Sequence, residues 1–394
     1  MEETFGGSEL KTIAVRNTQL IDTLSNLIRI NSVNPAYEGG NPESRICEYI
    51  AERFREFDIQ TWNQEVLPGR PNLIACLPGK DSSRRLLFEA HTDTVSAAGM
   101  SISPFQPEIR GGCVYGRGAC DTKGGLAAMM TALISLRRER ITPPADVWVV
   151  AAADEEHSYR GVQKLIEDLS ADGAVVAEPT NLRLAIASKG CLRWRIVCRG
   201  KAAHSSKPHL GVNAVAQMAR VILAIEDHTA RLSAKKHPLT GSPTCSIGVI
   251  RGGLQVNIVP DSCWIELDRR LIPGEDLSAV WREYQELLEN LQYQIPGLDV
   301  TMEPPMLTDV PLNTASSASV AVTASQILTS LGLDAEFVGV PYGSDASKLS
   351  AAGIASVIFG PGDIDQAHAA AEFVEINQLE SAYEFYREFM KTFE

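Results

Sequence analysis

Four apolar runs, each followed closely by a histidine or a glutamate, constrain this chain more than any other feature. Leu86-Leu87-Phe88 leads to His91, Val147 to Val150 leads to Glu155 and Glu156, Ala174 to Val176 leads to Glu178, and Val357 to Phe359 leads to His368. Runs without polar alternation are strands buried on both sides, as in a mostly parallel sheet with helices on both faces. A helical stretch from about Gly125 to Leu136 separates the first two runs, which makes this βαβ sequence. In an open α/β sheet, groups beyond the carboxyl ends of the strands converge on one crevice. Imidazoles and carboxylates gathered there are what a metal site looks like in one dimension.

Helical spacing opens the chain, at Leu20, Leu24, Leu27 and Ile28 and again at Ile46, Tyr49, Ile50 and Phe54 after the start signal Asn41-Pro42. The pattern changes near Ala187. There Leu192, Trp194, Ile196 and Cys198 alternate with Arg193, Arg195 and Arg199, as in a strand with one wet face. A helix around Val215, Met218, Ile222 and Ile225, strands at Ser246–Ile250 and Cys263–Leu267, and a helix at Val280, Tyr284, Leu287 and Leu291 continue in this style. Glu303-Pro304-Pro305 closes the passage, after which a helix through Val320 and Leu328 and the run Ala355–Phe359 resume the first style. The expected organisation is a larger α/β domain over 1–186 and 304–394, with a smaller α+β domain inserted over 187–303. A chain of 394 residues with 44% hydrophobic content is ample for two cores.

The formal charge of -13 argues against nucleic acid and anionic membranes as partners, since both reward clustered Lys and Arg. No apolar stretch reaches the length of a membrane span, and Met1-Glu2-Glu3-Thr4 has no secretory signal character, so a cytoplasmic protein is expected. Eight cysteines, none in Cys-x-x-Cys spacing, read as buried thiols. Cys120, directly before Asp121, could be a soft ligand, but packing is the preferred reading. A serine hydrolase would want a Gly-x-Ser-x-Gly elbow and a phosphate-binding enzyme a Gly-x4-Gly-Lys-Ser/Thr loop; both are absent.

Chemistry-bearing residues cluster in a few motifs. In His91-Thr92-Asp93, a neutral imidazole can bind metal while a carboxylate orients its other nitrogen. By itself such a pair is more often a satisfied loop histidine. The glycine-dense Gly116 to Gly125 runs straight into a helix and can present Asp121 to an ion, or Asp121 can simply cap that helix. Asp154-Glu155-Glu156 sets three carboxylates in a row, which repel unless a cation or proton compensates. A solvated acidic turn is the alternative.

Together with Gly116-Arg-Gly-x-x-Asp121-x-Lys-Gly, Glu178-Pro179-Thr180, Gly200-Lys-Ala-Ala-His204-Ser205, Asn257-x-Val259-Pro260 and Gly360-Pro-Gly362 to Ala367-His368, these motifs occur in an order that resembles the M20 metallopeptidases. That family includes acetylornithine deacetylase, succinyl-diaminopimelate desuccinylase, aminoacylase and carboxypeptidase G-type enzymes. The resemblance implies two Zn²⁺ per subunit, replaceable by Co²⁺ or Mn²⁺, one held by His91, Asp121 and Glu178 and the other by Asp121, Glu156 and His368. It implies that Asp93 orients His91, that Glu155 is the general base, and that His204 assists the tetrahedral intermediate in its own or a partner subunit. The insert would act as a lid and join a homodimer. Arg270, rather than Arg269, would grip a substrate carboxylate, Asn257 would contact that carboxylate or the oxyanion, and Gly343-Ser344 would offer donors at the cleft wall. The implied substrate is an N-acyl amino acid; the alternative is a short peptide, cleaved as by a carboxypeptidase or dipeptidase. A non-catalytic scaffold ranks third, because retention of Glu155 and of every ligand type speaks against it. Glu89-Ala90 and Ser158-Tyr159-Arg160 depart from the usual pattern at the rim of the site, which leaves the acyl preference open.

Overall fold

Among the described residues, thirteen strands and α-helices are shorter than nine residues, so what orders them is pairing and burial rather than local propensity. The computed structural model describes residues 7–393, with side chains from Thr18 onward; Met1-Glu2-Glu3-Thr4, read above for signal character, lies outside the described residues. Helices α1 (Gly7–Arg29) and α2 (Ser44–Arg55) precede a hairpin of β1 (Gln60–Leu67) and β2 (Arg70–Leu77). Then come β3 (Asp81–His91), β4 (Glu108–Arg110), β5 (Cys113–Tyr115), α3 (Lys123–Glu139), β6 (Ala145–Ala152), α4 (Arg160–Asp168), β7 (Gly173–Val176) and β8 (Leu184–Ser188). The middle of the chain forms β9 (Gly190–Arg199), α5 (Ala214–Leu232), β10 (Thr244–Gly252), β11 (Ser262–Leu271), α6 (Leu277–Gln294), β12 (Asp299–Met302) and β13 (Leu307–Asp309). The last stretch gives α7 (Ser319–Ser330), β14 (Phe337–Val340), α8 (Asp345–Ala351), β15 (Ser356–Ile358), β16 (Phe373–Glu375) and α9 (Ile376–Thr392).

Two compact units result. The first contains the chain up to Ile186, Thr314–Val338 and Ser344 onward; the second contains Ala187–Asn313 and Gly339–Gly343. The second unit runs on beyond Pro304-Pro305 because β13 pairs with β9, Leu307 opposite Arg193 and Asp309 opposite Cys191.

The large sheet has the order β1-β2-β6-β3-β7-β15-β8-β14. Its four middle strands are parallel, with Phe88 opposite Val149 on one side and Val175 on the other, and Val357 opposite Val175. β2 joins β6 and β8 joins β15 antiparallel, which gives the mostly parallel α/β architecture an antiparallel margin at both sides. Parallel neighbours need a long crossover, and α3 supplies it between β3 and β6. Every residue of α3 from Lys123 to Leu136 is buried, so no polar stripe interrupts it. α9 closes the same core: Phe88 meets Tyr386 and Phe389 edge-on at 5.8 and 6.0 Å. Each such fully buried aromatic contributes about 2–3 kcal/mol by area. A small antiparallel sheet, β16-β5-β4, sets Phe373 opposite Tyr115.

The second unit is antiparallel, in the order β10-β11-β9-β12 with β13 also on β9. Alternation along β9 turns Leu192, Trp194, Ile196 and Cys198 inward, where Tyr284 of α6 meets Trp194 at 4.7 Å and Met218 and Val221 of α5 complete the core. Asn213 caps α5 by accepting from Ala216 N–H, and Asp276 caps α6 by accepting from Ala279 N–H. Among the described residues, no helix is long and apolar enough to cross a membrane.

Candidate metal centre

The parallel strands stop at one level, and the polar residues beyond their carboxyl ends meet there. His91 is the last residue of β3, Glu155 and Glu156 follow β6, and Glu178 follows β7. Asp121 comes from the loop ahead of α3, and His368 from the segment between β15 and β16. Two groups form: His91, Asp121 and Glu178, and Asp121, Glu156 and His368, with ligand atoms within 4.8 Å of one another in each. Asp121 belongs to both, its Oδ1 2.9 Å from His91 Nε2 and its Oδ2 3.3 Å from His368 Nε2. His368 Nε2 also lies 3.3 Å from the Glu156 carboxylate. His91, Asp121 and Glu178 are buried, whereas the side chain of His368 is 51% exposed and its backbone is left-handed at φ 59°.

Electrostatics match the geometry. Burial first, then Glu155 and Asp121, push the Glu178 carboxyl well above the usual range. Burial also raises Glu155, with Asp345 and Glu156 adding to it, and raises Glu156, with Asp121 adding to it. Burial opposes the His91 imidazolium, but the Asp121 hydrogen bond and the Glu155 and Glu178 charges outweigh it and raise its pKa. Hydrogen bonds to Asp121 and Glu156 raise His368 to about 10. Asp121 is lowered despite burial, because both imidazoles donate to it. So many acids facing one another inside the protein call for cations, and oxygen and imidazole donors in two overlapping groups of three fit a pair of divalent metal ions.

Apart from Asp93, the supports beneath the centre were not read from the sequence. The His91 Nδ1 partner is the main-chain carbonyl of Asp93 at 2.9 Å, with the Asp93 carboxylate at 3.7 Å. That carboxylate instead accepts the N–H groups of Glu155 and Glu156, both at 3.1 Å, and the Asn34 amide at 2.7 Å. Asp154 leaves the acidic row altogether: it is buried, left-handed at φ 67°, and bound by Arg70 at 2.8 Å, Arg160 at 2.9 Å and Asn34 at 2.9 Å. Arg70 also forks onto Glu43. The Glu89 carboxyl is buried against Asp345, and burial together with that neighbour raises it well above the usual range. Lys123, fully buried, donates to Leu27 O at 3.1 Å and Ile30 O at 2.9 Å, and burial lowers its pKa to about 7. The Cys120 thiol donates to Asp363 O and is pushed up by burial, as suits a packing residue. All eight cysteines are free.

Within the second unit, His204 is exposed with Nδ1 2.8 Å from Ser206 Oγ, and Ser205 N–H donates to Asn257 O, so these two candidates share adjacent segments. Arg269 is buried on Glu275, whereas Arg270 is half-buried with its fork on Asp268 at 2.7 and 3.2 Å. Gly343 is half-buried and the adjoining Ser344 is buried, its hydroxyl without a hydrogen-bond partner. His228 of α5 is packed on Tyr284 at 5.0 Å.

Fold and cluster define a class: a hydrolase on an α/β sheet, with side chains of the metal-binding kind gathered beyond the strand ends. The chain belongs to peptidase family M20/M25/M40, which residues 87–392 match. It is 30% identical over 352 residues to an acetylornithine deacetylase of Myxococcus xanthus, covering 86% of this chain and 89% of that one. A probable succinyl-diaminopimelate desuccinylase of Staphylococcus aureus is 27% identical over 390 residues, covering 90% and 92%. Among solved structures, a Staphylococcus aureus tripeptidase superposes with a TM-score of 0.79 at 24% identity over 95% of this chain and 98% of its own. A dinuclear metal binding M20 peptidase of Bacillus subtilis gives 0.72 at 18% over 96% and 98%. At these identities the solved structures speak for the fold.

Proposed function

We propose that this chain is a dinuclear zinc-dependent amidohydrolase that deacylates N-acyl amino acids. One observation carries the reading: the two oxygens of Asp121 face two different imidazoles, each of which completes its own group of three. His91, Asp121 and Glu178 hold one ion, and Asp121, Glu156 and His368 the other. Hard oxygen and imidazole donors without thiolate suit Zn²⁺, with Co²⁺ or Mn²⁺ as substitutes. Ions held there would polarise the amide carbonyl and lower the pKa of a bound water toward 7. Glu155 takes the proton of the attacking water as the carbon–oxygen bond forms, and returns it to the amine nitrogen as the carbon–nitrogen bond breaks. Asp93 fixes the Glu155 main chain while that happens.

His204 and Asn257 serve as donors to the developing oxyanion, and Arg270 exchanges Asp268 for the carboxylate of the substrate. Gly343 and Ser344 add donors. Likeness to the acetylornithine deacetylase supports an acyl amino acid over a peptide as substrate. Two chains pair through the second unit, a reading supported by the edge strand β10 and by the exposed apolar side chains Leu223, Ile250, Leu254 and Val256.

The test is a panel of N-acetylornithine, N-succinyl-diaminopimelate, other N-acyl amino acids and dipeptides, given to the chain reloaded with Zn²⁺ or Co²⁺. Glu155→Gln keeps its metal and loses about 10²- to 10⁴-fold in kcat. Turnover of dipeptides alone, or of nothing in the acyl series, refutes the deacylase reading.

A further inference from the structure

Asp121 and His368 arrive from segments more than two hundred positions apart, yet they hang from one short ladder. β5 and β16 pair antiparallel with Tyr115 opposite Phe373. The chain leaving β5 forms the loop that delivers Asp121, and the chain entering β16 has just delivered His368. Between the ladder and the centre lies Glu372, 1% exposed. Its Oε1 accepts the N–H groups of Cys120 at 2.9 Å and Asp121 at 3.0 Å. Its Oε2 accepts Gly118 N–H at 3.0 Å and the Arg117 guanidinium at 2.7 Å. The Glu372 carbonyl accepts Gly116 N–H at 3.1 Å, which closes the loop from its other end.

Consecutive main-chain N–H groups in a bent loop form a concavity suited to an anion, and here the anion is a side chain of the His368 segment. Three of the four donors are peptide groups of the Asp121 loop, so this one carboxylate braces the loop from Gly118 to Asp121. His91 and Glu178, in contrast, are fixed by β3 and β7 of the large sheet.

We propose that Glu372 is a positioning residue that couples Asp121 to His368, so that the group Asp121, Glu156 and His368 depends on it more than the group His91, Asp121 and Glu178 does. The proposal rests on the two-ion reading above. Two of the three side chains in the first-named group sit on segments that Glu372 ties together, against one of three in the other. Glu372→Gln keeps the size but offers one accepting oxygen, and turns an NH₂ toward buried N–H groups that need acceptors.

The experiment titrates metal-free wild type and variants with Zn²⁺ in a calorimeter and with Co²⁺ by visible absorption, and records melting of the metal-free chains. Wild type takes up two ions. Glu372→Gln is expected to keep one binding step within about 3-fold and to weaken the other about 10- to 100-fold, the usual range for a residue supporting a ligand. Glu372→Asp, which keeps the charge on a shorter arm, is expected to show the same split and serves if the amide variant does not fold. Arg117→Met removes one of the four bonds and none of the three peptide contacts, so it lowers melting without the split. Equal weakening of both steps, no weakening, or the same split in Arg117→Met overturns the coupling role while leaving two ions in place. Fewer than two ions in wild type overturns the two-ion reading and this proposal with it.

Discussion

Asp93→Asn isolates what holds the turn bearing Glu155, the proposed general base. The substitution preserves shape, and the main-chain carbonyl that receives His91 Nδ1 is untouched. The carboxylate, however, serves three donors at once: the N–H groups of Glu155 and Glu156 and the Asn34 amide. An asparagine oxygen can keep one side of this arrangement, and its NH₂ then opposes a donor on the other. Asn34 cannot turn to compensate, because its Oδ1 accepts Ala36 N–H at 3.0 Å and its amide nitrogen also donates to Asp154. Losing a hydrogen bond to a charged group costs about 1.5–3 kcal/mol, and a buried N–H left unsatisfied costs about 1–3 kcal/mol more. The expected loss is therefore about 3–5 kcal/mol in chemical unfolding of the metal-free chain. Turnover by the reloaded chain is expected to fall about 10- to 100-fold, since the turn bearing Glu155 and Glu156 has lost its anchor. A stability loss under about 1 kcal/mol together with unchanged kcat would show that Asp93 does not hold this turn.

Arg70→Met strands the buried Glu43 carboxylate and takes from Asp154 one of its two guanidinium partners, and should cost about 3–5 kcal/mol in the same unfolding assay; a neutral result would mean that Glu43 does not depend on it. In the metal-free chain His368 is raised from 6.5 to about 10, so its ion pairs stabilise fully below pH 6.5 and fade as pH rises through 10. An imidazole binds a metal ion only in its neutral form, so Zn²⁺ uptake at the proposed His368 site near neutral pH should release protons and tighten as pH rises; calorimetry in two buffers of different ionisation heat checks it, and uptake without proton release contradicts it. Leu254→Asp with Val256→Asp, at positions 86% and 102% exposed, should leave melting unchanged and shift sedimentation from dimer to monomer; an unaltered sedimentation coefficient would remove this surface from the interface.

The core of the fold was legible because parallel strands are written as unbroken apolar runs. Val147–Val150, Ala174–Val176 and Val357–Phe359 fall on β6, β7 and β15, and the switch to alternation at Leu192 marks β9. β1, β2 and the small β4, β5 and β16 sheet escaped: β1 is largely exposed or half-buried, β4, β5 and β16 have three residues each, and β2, though buried, is ordered by pairing with the distant β6. The members of the His/Asp/Glu cluster were legible because imidazoles and acids follow strand ends. Their supports were not: Asn34, Arg70 and Glu372 act on peptide N–H groups or on acids far away in sequence, and no spacing rule connects them. For Glu372 one signal existed, its place four residues after His368. The three-acid row misled in one respect, for Asp154 points to Arg70 and Arg160 rather than to the other two.

Lys123 limits how this chain can be trimmed or recombined. Its ammonium ends on the carbonyls that close α1, so the opening helix acts as a plug for a charge carried by the crossover helix. Deletion past Leu27, or grafting a different leading segment, would leave the buried Lys123 amine, two positions from Asp121, without its two main-chain acceptors. The end of the opening helix is thus tied to the segment that carries Asp121, although no described side chain of that helix joins either group of three.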